Sequence, residues 1–176
     1  MSQYPFLSVH KALESTYNTL AVCGVKCPAY GVPTSASTVT EKVSLTDRLA
    51  QAVWIAKAVG EALAPHHSAW VTCTYDGAGA ARDASLDFLS GFFNKAHRNT
   101  ALVRAVIKRE FEFGETYCRS LEDIANEAGV GKTTVFRVAK RVQDEVAALR
   151  RETVDMLRPA FQAQGWLPPQ REAIKK

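Results

Sequence analysis

The sequence predicts an all-α protein: a helical bundle that closes with a tight pair of helices and a long C-terminal helix. Two observations carry this. No segment sustains the period-two alternation of a half-buried strand, while segment after segment repeats apolar residues at steps of three and four. Capping serines, glycines and prolines punctuate those segments where helices start or stop. Composition agrees. The 176 residues are 47% apolar and 23% charged, close to the soluble globular average, which excludes disordered, collagen-like and disulfide-packed chains. That length suits one domain or two small ones.

Residues 1–22 read as a first helix, with Phe6, Val9, Leu13, Tyr17 and Leu20 along one side. Cys23–Lys42 breaks the pattern with Gly24, Pro28, Gly31, Pro33 and a Ser/Thr-rich run, and reads as a loop or linker. Ser44-Leu-Thr-Asp47 has the form of a capping box. Leu45, Leu49, Ala52, Val53, Ala56, Val59 and Leu63 then supply an apolar face. Pro65 suits the first turn of the next helix, which carries Trp70, Val71 and Tyr75 and ends near Asp76-Gly77. Residues 79–97 read as one further helix burying Leu86, Leu89, Phe92 and Phe93, with Gly91 as its weak point. Thr100–Phe113 follows, turning Leu102, Val103, Val106, Ile107 and Phe111 inward.

The informative stretch begins at Ser120. Ser120 caps a helix whose first turn carries Glu122 and Asp123, where acidic side chains meet the positive end of the helix dipole. Leu121, Ile124 and Ala128 form the inward stripe, and Ala125 is small where a second helix must cross closely. Gly129 ends the helix at a position whose left-handed backbone is cheap only for glycine. Val130 plugs the turn. A second helix starts near Gly131–Lys132 and turns Val135 and Val138 inward. Two short helices joined by a glycine turn at this spacing describe a helix-turn-helix. From Gly131 to Gln143 there is no Asp or Glu, as a surface facing a polyanion requires.

These residues resemble the helix-turn-helix of bacterial and phage transcription regulators, with Ile124, Ala125, Gly129, Val130, Val135 and Val138 at the framework positions. The helix ahead of them, followed by Ser120-Leu-Glu-Asp-Ile-Ala, is similar to the promoter-reading fourth region of sigma factors. Size and helix order also resemble late-gene antitermination proteins of lambda-related phages. The resemblance spans about 25 residues and leaves residues 1–98 unplaced. It implies that the second helix enters the major groove of double-stranded DNA by its N-terminal end. Lys132, Thr133, Thr134, Phe136, Arg137, Lys140 and Arg141 then form the DNA-binding face. Arg137 bridges both acceptors of a guanine and Lys132 reaches guanine or phosphate. Phe136 either touches a thymine methyl or packs inward on the helix at 100–113. Lys140 and Arg141 meet phosphates, which position without reading sequence. Gly131 stands where a capping Ser or Thr is usual, a loss of only a few tenths of a kcal/mol.

Beyond the motif, Val138, Val142, Val146, Leu149, Val154, Leu157 and Phe161 extend the stripe until Pro159 kinks or ends the helix. A helix this long either packs back on residues 44–113 or pairs with a second subunit as a homodimer. The tail, from Gly165-Trp166-Leu167, reads as a docked tryptophan followed by a loose basic end. The chain is accordingly divided into 1–43, 44–98, 99–164 and 165–176.

Other chemistry is sparse. Cys23 and Cys27 can offer two thiolates to zinc, with His66, His67 or Cys73 completing a tetrahedron, but no second spaced pair of ligands supports this, and free thiols are the preferred reading. His66 and His67 open a helix and read as solvated. Asp83 and Asp87 lie four apart, as a surface pair or a metal pair. Gly131-Lys132-Thr133 is not the end of a phosphate loop, because Asn126 stands where a glycine is needed and the preceding residues are helical in pattern. No nucleophile context is present, so neither enzyme activity nor a cofactor is expected. No run reaches the roughly 18–20 apolar residues of a membrane span, and no secretory leader is legible, which points to the cytoplasm. Net charge is +4, but six basic residues fall within Gly131–Arg151. Three readings follow: a DNA-binding regulator from a phage or mobile element; an RNA polymerase-associated factor, sigma-like or an antiterminator; or a helical adaptor that binds no DNA.

Overall fold

The computed structural model describes residues 4–24, 44–77, 79–112 and 119–169. Among them the protein is entirely helical: α1 (Val9–Gly24), α2 (Leu45–Ala62), α3 (Pro65–Tyr75), α4 (Ala80–Phe92), a short 3-10 turn (Asn94–Ala96), α5 (Thr100–Phe111), α6 (Leu121–Ala128) and α7 (Lys132–Ala163). No helix among the described residues is long and apolar enough to cross a membrane.

α7 is the spine. Its 32 residues extend about 48 Å at 1.5 Å per residue. One stripe, Val135, Val138, Val142, Val146, Leu149, Thr153, Leu157 and Phe161, is buried along its whole length. The other helices gather on that stripe: α7 touches α1, α2, α3, α5 and α6, while α1 pairs with α2 and α3 with α4. The buried residues of all seven helices form one continuous core. Pro159 interrupts the hydrogen-bond ladder without ending the helix. Both Pro159 and Asp155, whose carbonyl loses its donor, are exposed, so water can replace the missing bond.

The ends of α6 and α7 are locked the same way. At α6, Gly129 takes φ +62°, the Val130 N–H donates to the Ala125 carbonyl at 3.1 Å and the Gly129 N–H to the Asn126 carbonyl at 3.3 Å. At α7, Gly165 takes φ +71°, and Trp166 and Gly165 donate to the carbonyls of Phe161 and Gln162, both at 2.9 Å. Both are Schellman closures, with glycine in the left-handed position. The Trp166 ring sits edge-on to Phe161, centroids 5.3 Å apart. Its carbonyl accepts from the Phe6 N–H at 3.2 Å, which fastens the start of the described chain to its end.

Several sequence expectations need correction. The first helix starts at Val9, not at residue 1: Ser8 accepts from the Lys11 N–H at 3.2 Å, and Phe6 packs from outside the helix. In α2 the buried face is Ala52, Ile55 and Val59, whereas Leu45 and Val53 are exposed. The expected set is one face, but the covered side is rotated from it toward Ile55, which that set left out, so only its edge at Ala52 and Val59 is buried. Residues 79–97 do not form one helix: α4 stops at Phe92, one residue past Gly91, and a 3-10 turn follows. That break buries Phe93 and leaves Phe92 outside, stacked on His66 with centroids 4.8 Å apart. α5 ends at Phe111. On α7, Thr153 rather than Val154 occupies the buried stripe.

Candidate nucleic-acid interface

The candidate site is built on α6, the Gly129 turn and the first turns of α7. Ser120 caps α6 in a full capping box: its hydroxyl accepts from the Asp123 N–H at 3.0 Å, and Asp123 accepts back from the Ser120 N–H at 3.3 Å. The Ser120 hydrogen bonds hold the Asp123 carboxyl below its ordinary range. Ile124 and Ala125 are buried, so α6 presses its apolar side into the core and presents Glu122, Asn126 and Glu127 to solvent. Gly131 begins α7 with no side-chain cap.

On α7, Val135, Val138 and Val142 face the core. Thr133, Phe136, Arg137, Lys140 and Arg141 therefore share the outward face, where they line an open groove of about 700 Å³ that continues over Asp144, Glu145 and Ala148. Phe136 is 52% exposed, so of its two expected placements the outward one holds. Thr134 is half-buried and sits at the edge of that face.

The face is less positive than its residue list. Lys132 donates to Glu122 at 3.0 Å, Lys140 to Asp144 at 3.0 Å and Arg141 to Glu145 at 3.4 Å. Arg137 has no ion-pair or hydrogen-bond partner among the described residues. The two pairs within α7 are legible as i, i+4 spacings. Glu122 lies ten residues from Lys132, and only the packing of α6 on α7 brings them together. All three pairs are exposed, a setting in which ion pairs contribute about 0–1 kcal/mol, so a phosphate can displace the acid at little cost.

The remaining candidates fall elsewhere. His67 is buried rather than solvated, and its Nδ1 donates to Thr153 Oγ1 at 2.9 Å, since that hydroxyl is itself donating to the Leu149 carbonyl at 2.7 Å. No local pattern signals that the first turn of α3 faces α7. Asp87 pairs with Arg104. Cys73 is buried, and that burial pushes its thiol up to about 12. Cys27 and the side chain of Cys23 lie outside the described residues, as do residues 170–176 of the tail. Among the described residues no group of three metal-ligating side chains comes together. No known protein family matches the chain, and a search of curated proteins finds none significantly similar to it.

Proposed function

We propose that this protein is a DNA-binding regulator of transcription, phage or mobile-element encoded, that reads double-stranded DNA with the helix starting at Lys132. The observation that supports the reading is the outward face of α7. Thr133, Phe136, Arg137, Lys140 and Arg141 project together from the helix that follows a left-handed glycine turn, with the other side of that helix fastened to the core. A short helix packed across the start of a second is the arrangement that lets the second enter a major groove. Arg137 is the base-reading candidate, because a guanidinium fork fits both acceptors of guanine. Lys132, Lys140 and Arg141 exchange their carboxylates for phosphates.

A second reading, a factor that acts at a promoter together with RNA polymerase, is favoured by the pairing of those cations. Phosphate neutralisation supplies essentially all non-specific affinity, and Glu122, Asp144 and Glu145 stay beside the face and repel phosphates even after their cations are released. A partner on polymerase would supply the rest.

The test is selection from a random duplex library, with and without bacterial RNA polymerase, followed by polymerase pull-down. Selection of a defined site by the protein alone supports the regulator. Selection only with polymerase, together with co-purification, supports the second reading. Failure of both arms by a folded protein leaves the adaptor that binds no DNA.

A further inference from the structure

Away from the outward face of α7, four helices meet around a second cleft of about 270 Å³. α1 contributes His10, α3 Trp70 and Tyr75, α5 Glu110 and Phe111, and α7 Arg150. Trp70 is buried at the floor, where His10 and Tyr75 both meet it edge-on, with centroids 6.4 and 5.9 Å away, and Phe111 and Val146 supply apolar wall beside the polar rim. The rim carries two opposite charges that do not meet. Glu110 has no hydrogen-bond or ion-pair partner among the described residues.

Arg150 has no carboxylate partner there either. Its Nε and one terminal nitrogen instead both aim at a single imidazole nitrogen, His10 Nε2, at 3.3 and 3.2 Å. That nitrogen offers one lone pair to two donors, so His10 is neutral with its proton on Nδ1, where it donates to the Tyr75 hydroxyl. Burial first, and Arg150 second, hold the His10 imidazole below its ordinary range, in keeping with that neutral form. A guanidinium fork is matched by the two oxygens of a carboxylate and not by one imidazole nitrogen.

We propose that this cleft binds a small zwitterion of the α-amino-acid class with an apolar or aromatic side chain. Its carboxylate takes the Arg150 fork, its ammonium pairs with Glu110, and its side chain lies against Phe111 and Val146 above the buried Trp70. The size fits: the cleft lies below the roughly 300–1,000 Å³ of sites for drug-sized molecules, which limits the occupant to about the bulk of one amino acid. The charges fit as well, since a simple anion would leave Glu110 facing it and a simple cation would face Arg150. The inference is independent of nucleic-acid binding, because His10, Trp70, Glu110 and Arg150 are no part of the face described above.

Isothermal titration and thermal denaturation of the full chain test it, with L-phenylalanine, L-leucine and L-tryptophan as probes. Phenylacetate, phenethylamine and inorganic phosphate supply one charge at a time. Binding to the folded state raises the melting temperature. At least one of the three amino acids is expected to bind saturably. The single-charge compounds should bind about tenfold more weakly or worse, about 1.4 kcal/mol per factor of ten. Arg150→Gln and Glu110→Gln, both at accessible positions, should each weaken the amino acid by a similar factor with an unchanged circular dichroism spectrum. Arg150→Lys, which keeps the charge but loses the fork, should restore only part of the binding. Three results would each overturn the proposal. One is no saturable binding of any of the three amino acids at millimolar concentration. Another is binding untouched by both Gln variants. The third is phosphate or phenylacetate binding as well as the amino acid, which would make this an anion site only.

Discussion

Gly129 stands at φ +62° with nothing within 4 Å of where a Cβ would lie. A side chain there meets no steric obstacle, and the whole cost is the backbone's. Gly129→Ala should therefore lower stability by about 1–2 kcal/mol, the penalty of a left-handed residue with a Cβ, and Gly129→Asn by less. Urea midpoints measure both; an alanine variant as stable as wild type would mean that the left-handed turn is not populated. Arg137 and Arg141 sit one turn apart on the same face but in different states. Arg137 is unengaged among the described residues, while Arg141 holds Glu145. On the DNA-binding reading, Arg137→Ala costs about 1–3 kcal/mol on the preferred site and relaxes discrimination at one base pair. Arg141→Ala weakens all sequences alike and lowers the salt slope by about one. Titrations on cognate and scrambled duplexes over a salt series separate the two. Equal, sequence-blind losses in both variants would remove Arg137 as a reader.

Elements differ in how much local chemistry sets them. α6 has eight residues, too few to persist alone, and depends on its two ends and on burial of Ile124 and Ala125. Ser120→Ala removes the capping box, and the expected loss is about 0.5–2 kcal/mol of global stability. The protein's chemical-denaturation curve would show it, and no change would mean that the cap of α6 is redundant in the folded protein. α7 is the opposite case. Its buried stripe runs from Val135 to Phe161 at steps of three and four, so it was legible down to single residues apart from Thr153. α2 was legible as a helix but not in orientation: its apolar residues continue from the expected face round to Ile55, and packing against α1 and α7 covers Ala52, Ile55 and Val59.

Three groups, Cys73 and His67 buried and His10 half-buried, carry predictions for the whole molecule. The Cys73 thiol, held up at about 12 by burial, should resist thiol reagents at neutral pH in the native protein and react only on unfolding, because the thiolate is the reactive form. Fast labelling of Cys73 in the folded state, located by peptide mass mapping, would contradict its burial between α3 and α4. His67 and His10 are both held below the ordinary imidazole range of about 6.5, by burial first and then by His66 and Arg150 respectively. In the window between those lowered values and 6.5 the unfolded chain binds more protons than the folded one. Stability from the neutral imidazoles is therefore complete above about pH 6.5 and is lost as the pH falls below it. His67→Gln should flatten that slope in melting temperatures taken between neutral and mildly acidic pH; an unchanged slope would place the titration elsewhere.

The sequence by itself determined the helical class, the closure at Gly129, the cap at Ser120 and the outward face of α7. These rest on interactions within a few residues, or on a period of 3.6 that a reader can count. Tertiary structure alone decided the rest. It placed Glu122 against Lys132, buried His67 on Thr153, faced the Arg150 fork toward His10 and left Glu110 across the cleft. It also chose which apolar side of α2 is covered. Each of these joins residues from different helices, and their meeting depends on how helices rotate and cross when they close a common core, which local spacing does not encode.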